Sequence, residues 1–345
     1  MRNLILGLLL AALSCSVTAA QSAGVASNAV PSNALQSNGA QSSGTQKPPA
    51  AQPESTPTFR QNVRLVNVFF NVKDKHGALI PALTQEHFDI LEEGKPQTIK
   101  NFSAVSNQPL TLGILIDSSG SMQRMLPEEK IVAGDFLRQV ITDKDLAFVI
   151  SFDVSVDLLQ DLTSDVRLLR HGLDKARVNT GTASSGIPGL GQGPIPISHP
   201  KGTLLYDGVY LGANDILGRQ VGRKAMIVLT DGVDQGSQMR LKDSIEAAQK
   251  SDVIVYVLLI SDPSYGSDSY DMNHLADQTG GRMITVKADK LQKAFQEISD
   301  ELRSQYNISY TPTDARNDGK FRKIEVKSKD GYKIQARKGY YAPID

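Results

Sequence analysis

The chain has 345 residues, of which 40% are hydrophobic and 21% charged, enough for one large domain and a smaller companion. Its 37 basic and 37 acidic side chains balance, so no net field draws it to nucleic acid or to an anionic membrane. Tryptophan is absent and aromatics make up 6%, which argues against a lectin that stacks sugars on rings.

Taken in chain order, the first 20 residues read as an export signal. Arg2 gives a positive start and Leu4 to Leu13 form an uncharged apolar run. As a helix this run would cover roughly 15 Å, about half of a ~30 Å hydrocarbon core, too short to span a bilayer. Val17-Thr18-Ala19 or Thr18-Ala19-Ala20 then offers a cleavage site. Cys15 is the single cysteine, so the mature chain would carry no thiol. Lipidation at Cys15 is the rival fate, but Ala12-Leu13-Ser14 is a poor lipobox, because Leu is expected three places before the Cys. Residues 21–58 are Ser, Ala, Gln, Asn, Gly and Pro with almost no large apolar side chains. Such a stretch cannot bury enough surface to offset its ordering entropy and is expected to be a disordered tether.

Residues 59–106 read as all-β. Val66, Val68, Phe70 and Val72 alternate with period two, Lys75-His76-Gly77 marks a turn, and Phe88–Leu91 with Thr98–Phe102 read as a hairpin around Glu93-Gly94-Lys95. From Leu110 the pattern changes. Leu110–Ile116 is apolar throughout, as in a strand buried on both faces of a parallel sheet. Helix over Pro127–Val140, strands at Ala147–Phe152 and Val154–Leu159, and helices near Asp165–Ala176 and Tyr206–Leu217 follow. Strand Ala225–Thr230, helix Leu241–Lys250, strand Val253–Ile260, helix Met272–Thr279, strand Met283–Val286 and helix Leu291–Ser304 complete the series. This alternation predicts a doubly wound, Rossmann-like α/β domain over 107–304. Residues 305–345 return to β, with Ile308 and Tyr310, Ile324 and Val326, and Ile334 and Ala336 alternating, and turns at Asn317-Asp318-Gly319 and Asp330-Gly331. Each β flank is near the lower limit for folding alone. The economical expectation is one sandwich-like domain built from both flanks, with the α/β domain inserted between them.

Three loops should share the carboxyl edge of the α/β sheet, where such folds build their sites. They are Asp117-Ser118-Ser119-Gly120-Ser121, Lys201-Gly202-Thr203 and Thr230-Asp231-Gly232. A lone D-x-S-x-S is a weak signal; the ordered three-part set is specific. It resembles the metal-ion-dependent adhesion site of von Willebrand factor type A domains over roughly residues 107–304. With Val63–Phe70, Leu83–Asp89, Ile90–Gly94 and Arg337-Lys338-Gly339-Tyr340-Tyr341, the chain resembles the related proteins abundant in acidobacteria over 60–342. The resemblance implies hydroxyl ligands from Ser119, Ser121 and Thr203, and carboxylates Asp117 and Asp231 acting mostly behind metal-bound water. Mg²⁺ suits an octahedron of oxygens that retains waters; Ca²⁺ or Mn²⁺ could substitute. Neutral hydroxyls leave the ion electrophilic, so the implied partner is a protein presenting an Asp or Glu.

The expected function is therefore an exported, metal-dependent, adhesion-type protein-binding module. The alternative is an envelope scaffold in which the ion only stiffens the loops. Enzyme readings find no support: the five His are scattered, and neither H-E-x-x-H, a P-loop nor G-x-S-x-G occurs. Ser198-His199-Pro200-Lys201 matches S-x-x-K only by letters, in a Pro-bounded stretch. The Gly/Pro/Ser-rich insertion 182–199 either shapes specificity beside Thr203 or is a tolerated surface loop.

Overall fold

A computed structural model of the chain describes residues 65–104, 108–178, 202–260 and 269–344. The leader, the tether and the 182–199 insertion lie outside the described residues.

The α/β domain is built on a six-stranded sheet. Its strands are β5 (Leu110–Asp117), β6 (Leu146–Phe152), β7 (Val156–Thr163), β8 (Arg223–Thr230), β9 (Val253–Ile260) and β10 (Met283–Val286), in the order β10-β9-β8-β5-β6-β7. All neighbours are parallel except β7, which folds back antiparallel on β6. Every residue of β5 and β9 is buried, as continuous apolar strands must be when helices cover both faces. Ile114 and Ile116 of β5 join a core with α1 (Leu126–Val140), α2 (Val166–Lys175) and α6 (Leu291–Arg303). Leu115, pointing the other way, joins α3 (Leu205–Tyr210), α4 (Leu241–Lys250) and α5 (Ser269–Thr279). The period of two along the strand thus assigns alternate side chains to opposite helical layers. On α6, Leu291, Phe295, Ile298 and Leu302 are buried on one face, as their helical spacing predicts.

The remaining strands form two four-stranded sheets around a common core. One is β13-β1-β11-β4, from β1 (Val66–Lys73), β4 (Ile99–Ala104), β11 (Tyr306–Tyr310) and β13 (Lys333–Ala336). The other is β14-β12-β2-β3, from β2 (Phe88–Glu92), β3 (Lys95–Gln97), β12 (Phe321–Ser328) and β14 (Gly339–Tyr341). The two flanks of the sequence interleave: Val68 stands opposite Ile308, and Val326 opposite Ile90. Val66, Val68, Phe70, Phe88, Ile90, Tyr306, Ile308, Ile324 and Val326 share one core. The α/β domain is inserted between the halves of a sandwich, as the grammar of the sequence predicts.

Three local expectations are corrected. Phe88–Glu92 turns back onto Lys95–Gln97, and Ile99–Ala104 crosses to the other sheet to pair with Tyr306–Tyr310. The hairpin read between Phe88–Leu91 and Thr98–Phe102 is therefore not formed. Glu93 (φ 49°) and Gly94 (φ 75°) make the tight two-residue turn that ends the hairpin early. The strand placed at Val154–Leu159 starts at Val156 and continues to Thr163. The helix over Tyr206–Leu217 is α-helical only to Tyr210, then π-helical over Leu211–Ile216 and 3₁₀ over Leu217–Arg219.

Candidate metal centre

The first crossover from β5 runs through α1 to β6 on one side, and the chain later returns to lay β8 on the other side of β5. Strand order reverses between β5 and β8, and the crevice outside their carboxyl ends is where open α/β sheets hold ligands. Asp117 ends β5 and Thr230-Asp231 ends β8, in register because Ile116 stands opposite Leu229.

Asp117 is completely buried. One carboxylate oxygen accepts a hydrogen bond from the Ser119 amide at 2.9 Å and the other from the Thr230 hydroxyl at 2.7 Å. The first bond curls the loop after β5, and the second ties β5 to β8 beyond their backbone ladder. The Ser119 and Ser121 hydroxyl oxygens lie 3.0 Å apart. Asp231 is buried at the start of the next loop, its Oδ1 accepting from the Val233 amide at 3.2 Å. Gly232 follows with φ +89°, a left-handed turn that any side chain would strain.

Thr203, also buried, exchanges both backbone hydrogen bonds with Gln235, at 2.9 Å each. Further bonds fasten its loop to the Asp231 loop: Asp234 accepts from the Tyr206 amide at 3.1 Å, and Asp207 accepts from the Gln238 and Met239 amides at 3.1 and 2.8 Å. The structure thus brings Asp117, Ser119, Ser121, Thr203 and Asp231 to one edge, from three loops. Among the described residues no group of three or more His, Cys, Asp or Glu is placed to hold an ion together; the oxygens gathered here are instead three hydroxyls and two carboxylates.

Two observations fit this set to a small divalent cation. Oxygens at right angles on an ion with 2.0–2.1 Å bonds lie about 2.9 Å apart, so the Ser119 and Ser121 hydroxyls, which share a hydrogen bond at 3.0 Å, already stand at the spacing of adjacent ligands. The edge also holds excess negative charge. Burial pushes Asp117 up to about 7, the neighbouring Asp231 adds to the rise, and hydrogen bonds from Ser119 and Thr230 oppose it. A bound cation would relieve that conflict.

Several functional side chains were missed in the sequence. The Thr230 hydroxyl reads only as part of its motif and Asp207 only as part of the Tyr206–Leu217 helix, while Asp234 falls in none of the predicted elements. Glu129 of α1 falls inside the predicted helix Pro127–Val140, with nothing in its sequence position to set it apart. It is fully buried, and neither carboxylate oxygen has a hydrogen-bond partner in the protein. Burial, with the charges of Asp117 and then Asp231, holds it well above the usual carboxylate range.

No protein-family model matches the chain, and no curated protein matches it. Among solved structures it is similar to proximal thread matrix protein 1 of the mussel byssus, at 14% identity and a TM-score of 0.47 over 69% of this chain. That match covers 50% of the byssus protein, so the chain spans about half its length. BatB of Bacteroides thetaiotaomicron is similar at 18% identity and 0.43, covering 56% of this chain and 97% of BatB. A von Willebrand factor type A protein of Catenulispora acidiphila is similar at 12% identity and 0.44, covering 83% and 75%.

Proposed function

We propose that the chain is an exported von Willebrand factor type A domain protein that holds a divalent cation, Mg²⁺ in the first place, at the β5–β8 edge and grips an Asp or Glu of a partner protein there. The observation that carries the reading is the Ser119–Ser121 oxygen pair at 3.0 Å beside a buried Asp117 whose two oxygens are already committed to Ser119 and Thr230. When bound, the ion supplies a positive centre for an incoming carboxylate. Ser119, Ser121 and Thr203 would hold it directly, and Asp117 and Asp231 would balance its charge from behind water. Neutral ligands leave most of the ion's charge unspent, so affinity for an anionic partner is retained.

The scaffold alternative, in which the ion only stiffens the loops, is weakened by the protein's own fastening. The Thr203 and Asp231 loops are already joined by the Thr203–Gln235 pair and the acceptors Asp207 and Asp234. No catalytic role is proposed: the Thr230 hydroxyl that Asp117 holds is fully buried and unavailable as a nucleophile. Export rests on the leader over residues 1–20; among the described residues no helix is long and apolar enough to cross a membrane.

The test is capture from envelope extract by the immobilised protein in Mg²⁺, in EDTA, and by Asp117→Ala in Mg²⁺. A partner retained only by the wild type in Mg²⁺ supports the grip. Equal capture in all three arms contradicts it.

A further inference from the structure

Seven carboxylates are buried among the described residues: Glu92, Asp117, Glu129, Asp145, Asp153, Asp231 and Glu301. Six are supplied with donors. Glu92 accepts from the Tyr310 and Tyr340 hydroxyls at 2.6 and 3.0 Å. Asp145 accepts from the Leu110 and Thr142 amides and the Thr142 hydroxyl. Asp153 accepts from the Ser155 amide, and Glu301 is paired with Lys73 and Arg282. Asp117 and Asp231 hold the loop amides described above. Glu129 alone accepts nothing from the protein.

A carboxylate without donors is the costliest polar group to bury. An apolar residue would suit the inner face of α1, where Val132, Ala133, Phe136 and Leu137 are all buried. The position of Glu129 supplies a reason for the exception. It lies in the first turn of α1, the helix entered directly from the Ser119–Ser121 loop through the 3₁₀ turn Gly120–Arg124, and the charges that act on it are those of Asp117 and Asp231. Its place at the start of the helix that leaves this loop, and the action of both aspartate charges on it, put it in the same electrostatic neighbourhood as the two aspartates. Among the described residues no three acidic side chains are gathered to hold an ion together, which favours a place for the Glu129 oxygens on the hydrogen atoms of water bound to the ion over direct ligation.

We propose that Glu129 is a third carboxylate of the metal centre, acting behind metal-bound water, so that the site opposes a divalent ion with three negative charges where the motif residues alone supply two. This rests on the metal reading above. Glu129 is a positioning residue: it orients and polarises water on the ion and touches no partner. It raises affinity for the ion and lowers the ion's residual pull on a partner's carboxylate.

The test uses Glu129→Gln and Glu129→Met, both close to Glu in volume, against the wild type. A Glu129 that served only the packing of α1 would, when replaced, change melting temperature alike with and without metal and leave ion affinity alone. The metal-centre role predicts opposite signs. In metal-free buffer Glu129→Met should melt at or above the wild type, because an unpartnered buried carboxylate is removed. Its melting temperature should respond less to added Mg²⁺. Calorimetric Mg²⁺ affinity should fall at least about tenfold in both variants, and the electron paramagnetic resonance spectrum of bound Mn²⁺ should change. Variants that bind Mg²⁺ as tightly as the wild type, with an unchanged Mn²⁺ spectrum, overturn the role of Glu129 while leaving the metal site intact. A wild type that binds neither ion overturns the metal reading and this inference together. Variants that melt lower than the wild type in metal-free buffer also count against it, since they would assign Glu129 to the fold.

Discussion

Asp117 shows how burial and charge are set against each other at a single position. In the metal-free protein its folded pKa, about 7, lies above its unfolded value, so the folded state binds the extra proton. Stability from this group is then highest at low pH and is lost as pH rises through about 7; the raised Glu129 acts in the same sense. Between pH 5 and 7 the melting temperature of metal-free protein should fall as pH rises, by more in the wild type than in Asp117→Asn. A rise over that window, or an identical slope in the variant, would contradict the assignment. With saturating Mg²⁺ the trend should reverse, because protons compete with the ion for the carboxylates. Thr203→Ala addresses the other side of the site. Losing this hydroxyl should weaken partner binding more than Mg²⁺ binding, and a tenfold weaker complex corresponds to about 1.4 kcal/mol. Equal losses for ion and partner would make Thr203 a simple ligand. Asp117, Ser119, Ser121, Thr203 and Asp231 were legible as letters because loops at strand ends keep a fixed order along the chain. Glu129 was not, because its meaning is a missing donor, and a sequence records no absence of contacts.

At the scale of elements, the strands and helices that positioned the site followed from pattern alone. Unbroken apolar runs gave β5, β8 and β9, and helical spacing gave α1, α4 and α6. Pairing was harder. Residues 88–102 carry two apolar stretches around a turn, and that pattern fits a hairpin equally well whether the second strand is Lys95–Gln97 or Thr98–Phe102. The difference is made by Tyr306–Tyr310, distant in sequence, which takes Ile99–Ala104 as its partner. The π-helical stretch Leu211–Ile216 was likewise invisible, since the apolar period of α and π turns differs too little over six residues. Where sandwich and α/β domain meet, Glu301 of α6 binds Lys73 of β1 at 2.9 Å and Arg282 at 2.5 Å, and its carbonyl accepts from Asn71 at 2.7 Å. Glu301→Leu leaves Arg282 with Glu297 and Lys73 with Gln335 as their remaining partners and should cost about 2 kcal/mol, read as a shift in denaturant midpoint. A change under about 0.5 kcal/mol would show that the cluster is no more than a surface pair.

On the scale of the whole molecule, the flanks are one folding unit only together. β1 lies between β11 and β13 and shares a core with Tyr306, Ile308 and Ile324. A chain ending at Ser304 should expose Val66, Val68 and Phe70 and aggregate, as followed by light scattering. A monomeric truncation with its N-terminal strands protected from hydrogen exchange would refute the shared sandwich. Export has an equally plain readout: mass spectrometry of the mature protein should give a start near Ala20 or Gln21, whereas an acylated Cys15 would make it a lipoprotein. The central claim concerns the ion, and calorimetric titration with Mg²⁺ tests it most directly. The wild type should bind one equivalent, and Asp117→Ala, folded by circular dichroism, should show no binding heat. A wild type that takes up no Mg²⁺ or Mn²⁺, or an Asp117→Ala protein that binds as tightly as the wild type, would contradict the account.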